Sequence, residues 1–445
     1  MDHPVAPAPA AVPTHRWAKR LLLAGLALLL ALPALQAKFN FVEMLPLAGY
    51  APPAPRAMLS ATALLDNSYQ PALEKYLEDR LGFRPLLVRL RNQLAYSVFR
   101  VGRANNTVVG KDDIMFDGSA ADAYLGRDFV GEAEVDGNVR RFKDVQDTLA
   151  RRGTLLVFVI APGKAHIYSD MLPAHYRRQP RTRSNYTAYA EKLAAAGVNL
   201  LDFSALFRQW QDTAAYPLFP RGGIHWSLWA RDLAVDTLFD YVRQRGRFNF
   251  PDCRIVSREF STTPRDTDND LARVLNLFEE PAAALMAYPK LEFAPLGPGQ
   301  RKPNLLLVGD SFGWGLIPYV PAAFAPESRY WYYNSEVQWS GSGSTPEGTQ
   351  VGALDKRAQL RGRDVVLVLF TEPNLRAFDN NFSQRLYNTY HPYTAAEQAR
   401  VPAIKQELLR DTAVVNRLWK QAYQQETSAA DLLTWEALSV LDQQR

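Results

Sequence analysis

The run Leu305-Leu306-Leu307-Val308-Gly309-Asp310-Ser311-Phe312 most constrains what this chain can fold into. An apolar run of strand length meets Gly-Asp-Ser and then the glycine-rich Gly313-Trp314-Gly315. A buried parallel strand reads this way, with its carboxyl end turning into a helix. In open α/β sheets that end is where ligands bind. A serine there sits beside free backbone N–H groups that can hold an oxyanion while the hydroxyl attacks an acyl carbon. A serine that only caps the helix is the plainer alternative.

A serine nucleophile needs a base, usually histidine. Of six histidines, His3 and His15 lie in an N-terminal tail. Among the rest, His166, His175, His225 and His391, only His225 combines a glycine-rich loop, Gly222-Gly223-Ile224, with a following Trp226. The helical pattern from Leu228 to Val242 then places His225 in a loop entering a helix. A histidine merely hydrogen-bonded in a turn is the competing reading.

Gly309-Asp310-Ser311-Phe312 resembles the first sequence block of the SGNH (GDSL-type) esterases. His225-Trp226 ahead of it resembles the permuted order of the AlgJ/AlgX-type polysaccharide O-acetyltransferases. Tyr76–Arg84, Val109–Phe116, Pro162-Gly163-Lys164 and Met171-Leu172-Pro173 resemble further stretches of that group. The resemblance implies an SGNH-like fold with Ser311 as nucleophile and His225 as base. It implies an acetylated cell-envelope or exported polysaccharide, alginate-like, as substrate. It also implies a membrane-bound O-acyltransferase as acetyl supplier.

One departure stands out. Such proteins commonly carry Asp-x-His-Trp, and the aspartate's position is Gly223 here. That carboxylate fixes the imidazole tautomer, and its loss costs about 10⁴ in rate. Glu372, after the apolar run Val365–Phe370, is the expected replacement, with Asp202 and Asp232 as alternatives. A bare Ser–His dyad, or an impaired site that binds glycan, are the other possibilities. The Ser311 N–H and Asn374 are the expected oxyanion donors, with Asn334 in reserve. Asp310 and Trp226 complete the expected substrate-side residues. An acetylesterase or lipase is the alternative activity, and a glycan-binding or assembly protein the non-enzymatic one.

Strand-like runs at Thr154–Ile160, Val198–Phe203, Asn304–Val308, Arg329–Asn334 and Asp364–Phe370 alternate with helical patterns near 133–151, 184–196, 227–245, 313–324 and 352–361. This predicts an α/β fold with a doubly wound, mainly parallel sheet. The expected organisation is a disordered tail over 1–16, an anchor or signal peptide over 17–41, a linker over 42–65 and one domain over 66–445. That domain has an insertion at about 246–303 and C-terminal helices at about 394–443. Asp266 to Asp270, inside the insertion, reads as a solvated loop rather than a calcium site.

Leu21 to Leu35 is apolar apart from Pro33, and His15, Arg16, Lys19 and Arg20 precede it. Positive residues stay inside, so the chain reads as a single-pass inner-membrane protein, N-in, with its domain in the periplasm. Secretion to the periplasm after cleavage near Leu35-Gln36-Ala37 is the alternative. The net charge of +5, from 51 basic and 46 acidic residues with no basic block, argues against nucleic acid. Cys253 is the single cysteine, so no intrachain disulfide forms. Neither a phosphate loop nor metal-ligand spacing is evident, and no cofactor is expected. Trp226, Trp229, Trp314, Trp331, Tyr332 and Tyr333 are candidates for a sugar platform, although most buried aromatics are core.

Overall fold

A computed structural model describes residues 16–49, 52–104, 106–246, 248, 251–343, 345–424 and 428–444. Most of the expected tail, and Tyr50 and Ala51 of the linker, lie outside them. The chain divides into two compact units. One comprises Met1–Asn105 with Ala272–Glu280, the other Asn106–Leu271 with Pro281–Arg445.

The smaller unit is helical. Its first helix, Arg16–Phe39, runs through Pro33. Trp17–Phe39 is long and apolar enough to cross a membrane, with a mean hydropathy of 1.9. At 1.5 Å per residue, such a helix matches a hydrocarbon core of about 30 Å. Helices Tyr69–Asp79 and Arg84–Phe99 follow. The leucines whose spacing marks them, including Leu77, Leu87, Leu90 and Leu94, are exposed. Stretch 272–280 is held by side chains of the same unit. Asn92 Nδ2 donates to the Leu275 carbonyl at 2.6 Å, and Gln93 Oε1 accepts the Phe278 and Glu279 N–H groups at 2.9 and 3.1 Å.

The larger unit is built on six strands. These are β1 (Leu155–Ala161), β2 (Leu200–Asp202), β3 (Leu305–Gly309), β4 (Arg329–Tyr332), β5 (Glu336–Ser340) and β6 (Val365–Thr371). Their order is β2-β1-β6-β3-β4-β5, parallel except where β5 pairs antiparallel with β4. Every residue of β3 and β6 is buried. Alternate side chains therefore supply two cores, as strand geometry requires. Leu305, Leu307, Leu367 and Leu369 pack with α3 (Phe203–Trp210) and α4 (Leu228–Gly246). Leu306, Val308, Val366 and Val368 pack with α1 (Glu132–Ala150), α2 (Asn185–Ala195) and α5 (Phe382–Tyr390). Helices on both faces make the sheet doubly wound, as the alternation predicts.

Three details differ from the sequence reading. The stretch 313–324 is not one helix but short turns, Ser311–Gly315, Ile317–Tyr319 and Val320–Ala323. Gly313, Gly315, Pro318 and Pro321 prevent a continuous hydrogen-bond ladder. The stretch 246–303 contains an antiparallel hairpin, Cys253–Ser261 with Met286–Phe293. β4 stops at Tyr332 because Tyr333 and Asn334 adopt positive φ, 49° and 50°. Helices α6 (Ala395–Arg410), α7 (Thr412–Gln424) and α8 (Ala429–Gln443) close the chain.

Candidate active site

The carboxyl ends of β1, β3, β4 and β6 converge on one cleft, as a parallel sheet dictates. Its cavity is about 260 Å³, lined by residues that include Ser311, Gly163, Lys164, Ile224, Tyr333 and Asn374. Ser311 opens the tight turn that leaves β3. Gly309 is required at that exit, because a Cβ there would meet the Leu369 carbonyl at 2.4 Å.

His225 reaches the cleft from the loop before α4. Ser227 anchors the loop's end: its N–H bonds the Leu218 carbonyl at 2.8 Å, and its hydroxyl accepts the Ala230 N–H at 3.1 Å. Lys164 anchors the other side. Its ammonium donates to the carbonyls of Pro220 (2.6 Å), Arg221 (3.0 Å) and Gly223 (2.8 Å). Burial pushes the Lys164 pKa down to about 7, while the nearby Asp270 charge opposes that shift.

His225 Nε2 lies 2.9 Å from Ser311 Oγ, and Nδ1 lies 2.8 Å from Asp270 Oδ2. The other Asp270 oxygen accepts the Ile224 N–H at 2.8 Å. Serine, imidazole and carboxylate thus form one hydrogen-bonded line. With Asp270 accepting at Nδ1–H, the Nε2 lone pair faces the serine hydroxyl, the tautomer that general-base chemistry needs.

The carboxylate beside His225 is therefore Asp270, from the segment read as a solvated loop, and not Glu372. Strand order explains the difference. β6 lies between β1 and β3, and Glu372 turns toward the β1 side. It accepts the Gly163 N–H at 3.2 Å and pairs with His166 Nδ1 at 2.9 Å. Asp202 accepts from Tyr186 and caps α3. Asp232 is buried and pairs with Arg231 and Tyr319.

Gly223 makes room for this arrangement. A Cβ on it would lie 2.4 Å from the Thr267 carbonyl oxygen and 3.0 Å from the Asp268 carbonyl carbon. The vacant aspartate position is thus the surface on which the Asp270-bearing segment rests. Leu271 N–H seals it by bonding the Gly222 carbonyl at 2.9 Å. Gly223→Ala should push Asp270 off His225 and slow turnover by about tenfold or more. Gly223→Asp should do the same rather than restore anything. Steady-state rates on an acetyl ester check this, and an accelerated Gly223→Asp variant would contradict it.

The remaining expected residues divide. Asn374 lines the cleft, and its amide nitrogen donates to Asp310 Oδ2 at 2.7 Å, with Tyr333 Oη at 3.4 Å. Asp310 is not on the substrate side. It is fully buried and accepts the Phe312 N–H and the Thr371 N–H and hydroxyl, besides Asn374. Its role there is to lock the Ser311 turn to the end of β6. Asn334 gives its amide to the Asn380 carbonyl at 2.9 Å and is not among the cleft residues. Trp226 is buried in the core, stacked on Phe207 and edge-on to Phe312. Trp229 and Trp331 are also buried, whereas Trp314 is partly exposed and Tyr333 lines the cleft. Sequence reasoning missed Asp270. The available signal was an acid opening the short apolar stretch Leu271-Ala272-Arg273-Val274-Leu275.

Residues 107–315 match the family described as SGNH hydrolase-like domain, acetyltransferase AlgX. Over this part the chain is similar to the AlgJ and AlgX proteins. Probable alginate O-acetylase AlgJ of Pseudomonas aeruginosa is 28% identical over 273 residues, covering 56% of this chain and 66% of that protein. The Pseudomonas syringae pv. tomato protein of the same name is 24% identical over 211 residues, covering 46% and 51%. The chain therefore spans between half and two thirds of the length of these relatives. Among solved structures, the O-acetyltransferase domain of Pseudomonas putida AlgJ is 21% identical, with a TM-score of 0.41, over 64% of this chain and 99% of that one. Bacillus cereus PatB1 with a sulfonyl adduct is 11% identical, with a TM-score of 0.40, over 62% and 99%.

Proposed function

We propose that the chain is an O-acetyltransferase that modifies a cell-envelope or exported polysaccharide through an acetyl-enzyme on Ser311. The observation that carries this reading is the continuous line Ser311–His225–Asp270 at the cleft. His225 takes the hydroxyl proton as Ser311 Oγ attacks the acetyl carbonyl. The tetrahedral oxyanion is held by the Ser311 N–H and the Asn374 amide. Collapse expels the donor's alcohol or thiol, which leaves with the proton from His225. A sugar hydroxyl then repeats the sequence in reverse, losing its proton to His225 and carrying the acetyl away. Relatives named as alginate O-acetylases support a polysaccharide as acceptor.

Transfer and hydrolysis share every step but the last. Incubating the full chain with an activated acetyl ester should give a mass increase of one acetyl on Ser311. Adding an oligouronate should move that acetyl to the sugar faster than water releases it. Release to water alone, unaffected by the sugar, would favour the esterase reading.

We further propose that helix Arg16–Phe39 anchors the chain N-in, with the rest outside the cytoplasm, beside a membrane-bound O-acyltransferase that supplies acetyl. The exposed apolar side chains around that helix and its basic start, with Lys19 and Arg20, support this. A reporter fused after Gly110 should be active only outside the cytoplasm. Activity inside would overturn the topology.

A further inference from the structure

A second cavity, of about 470 Å³, lies between α1, α5 and the C-terminal helices α7 and α8. It shares no lining residue with the cleft that holds Ser311. Its walls combine the guanidinium groups of Arg141, Arg385 and Arg417 with the carboxylates of Glu134, Glu436 and Asp442, side-chain amides and an indole. Arg141 is the unusual member. It is only 5% exposed, yet its guanidinium makes one hydrogen bond, to Asn138 Oδ1. Nε and Nη1 have no partner among the described residues. Glu134, Asp442 and Asp379 act on it only as surrounding charges. Buried cations are normally hydrogen-bonded on every side, so this one is under-satisfied. Elsewhere in the cavity Arg417 is already paired with Glu436 at 2.6 Å, and Asp442 accepts from Tyr393 and Asn388. Arg385, on α5, is exposed, and Trp435, on α8, is 60% exposed at the same cavity.

The geometry points to a non-catalytic binding site for a short stretch of acidic polysaccharide, seated between α5 and α8. Trp435 offers a flat apolar face to a sugar ring. Arg385 offers donors to the carboxylate of a uronic acid, the geometry that guanidinium recognises in pairs of bonds, and the charge of Arg141 behind the wall adds attraction. Gln384 presents an amide to ring hydroxyls. The choice of a uronate rests on the proposed acetyl transfer to a polysaccharide. The site itself would hold a growing chain while Ser311 works on another stretch of it, raising the local concentration of acceptor hydroxyls.

The test uses the full chain in detergent and a short oligouronate, with binding read by calorimetry. Trp435→Ala and Arg385→Ala alter exposed side chains and should leave folding intact. Each should weaken binding by about tenfold. Each should also raise the KM for the oligouronate while leaving acetyl-enzyme formation from a small ester unchanged. Unchanged affinity in both variants would overturn the site. Equal affinity for an uncharged oligosaccharide of the same length would overturn its selectivity for acid. Failure of the wild-type chain to form any acetyl-enzyme would instead strike the proposed function, since the binding measurement does not depend on it.

Discussion

Ser311→Ala should lose about 10⁶ of the wild-type kcat for acetyl transfer, the scale seen when a serine nucleophile is removed from an intact triad. The loss follows from what Ser311 Oγ touches. It is the atom 2.9 Å from His225 Nε2, and alanine leaves no atom to form the ester. The fold should be indifferent. Asp310, which accepts from Phe312, Thr371 and Asn374, still ties the turn to β6 in the variant. An unchanged melting temperature beside absent acetyl-enzyme mass is therefore the expected pair of results. Residual transfer within tenfold of wild type would show that Ser311 is not the nucleophile.

Asp270→Asn should cost about 10⁴ in kcat, because an amide facing Nδ1 favours the wrong tautomer and cannot stabilise the imidazolium. Glu372→Gln should cost far less. Its carboxylate is spent on His166 and the Gly163 N–H, so the substitution disturbs the cleft wall rather than the base. Rates for the two variants on one acetyl ester separate the assignments. A larger loss in Glu372→Gln than in Asp270→Asn would return the orienting role to Glu372.

The sheet was legible because each central strand is a fully apolar run that ends in polar or glycine-rich residues. Leu305–Gly309 and Val365–Thr371 leave little choice but burial on both faces. Ser311 and His225 were legible for a related reason: each follows a local signal, a strand exit or a glycine-rich loop. Asp270 was not. It lies 45 positions from His225, in the segment that joins the two strands of the hairpin, and only the folded path of the chain brings it close. Glu372 misled because a strand end fixes the edge that a residue reaches but not the neighbour it faces. Two residues further, Asn374 does turn toward the β3 side. The helix expected over 313–324 does not form because two prolines and two glycines interrupt it. In the hairpin within 246–303 the first strand, Cys253–Ser261, is largely exposed, and only the start of the second, Met286 to Tyr288, is buried.

The absence of room for a Cβ between Gly223 and the Thr267 carbonyl bears on how chains with this signature are sorted. A four-residue signature treats the acid and the base as neighbours in the text. Here the acid comes from elsewhere in the chain, and its arrival requires that the signature's own position be small. A glycine in that column then records a relocated carboxylate, and a catalogue built on the tetrapeptide would file this chain among the inactive members for the very residue that admits its third partner.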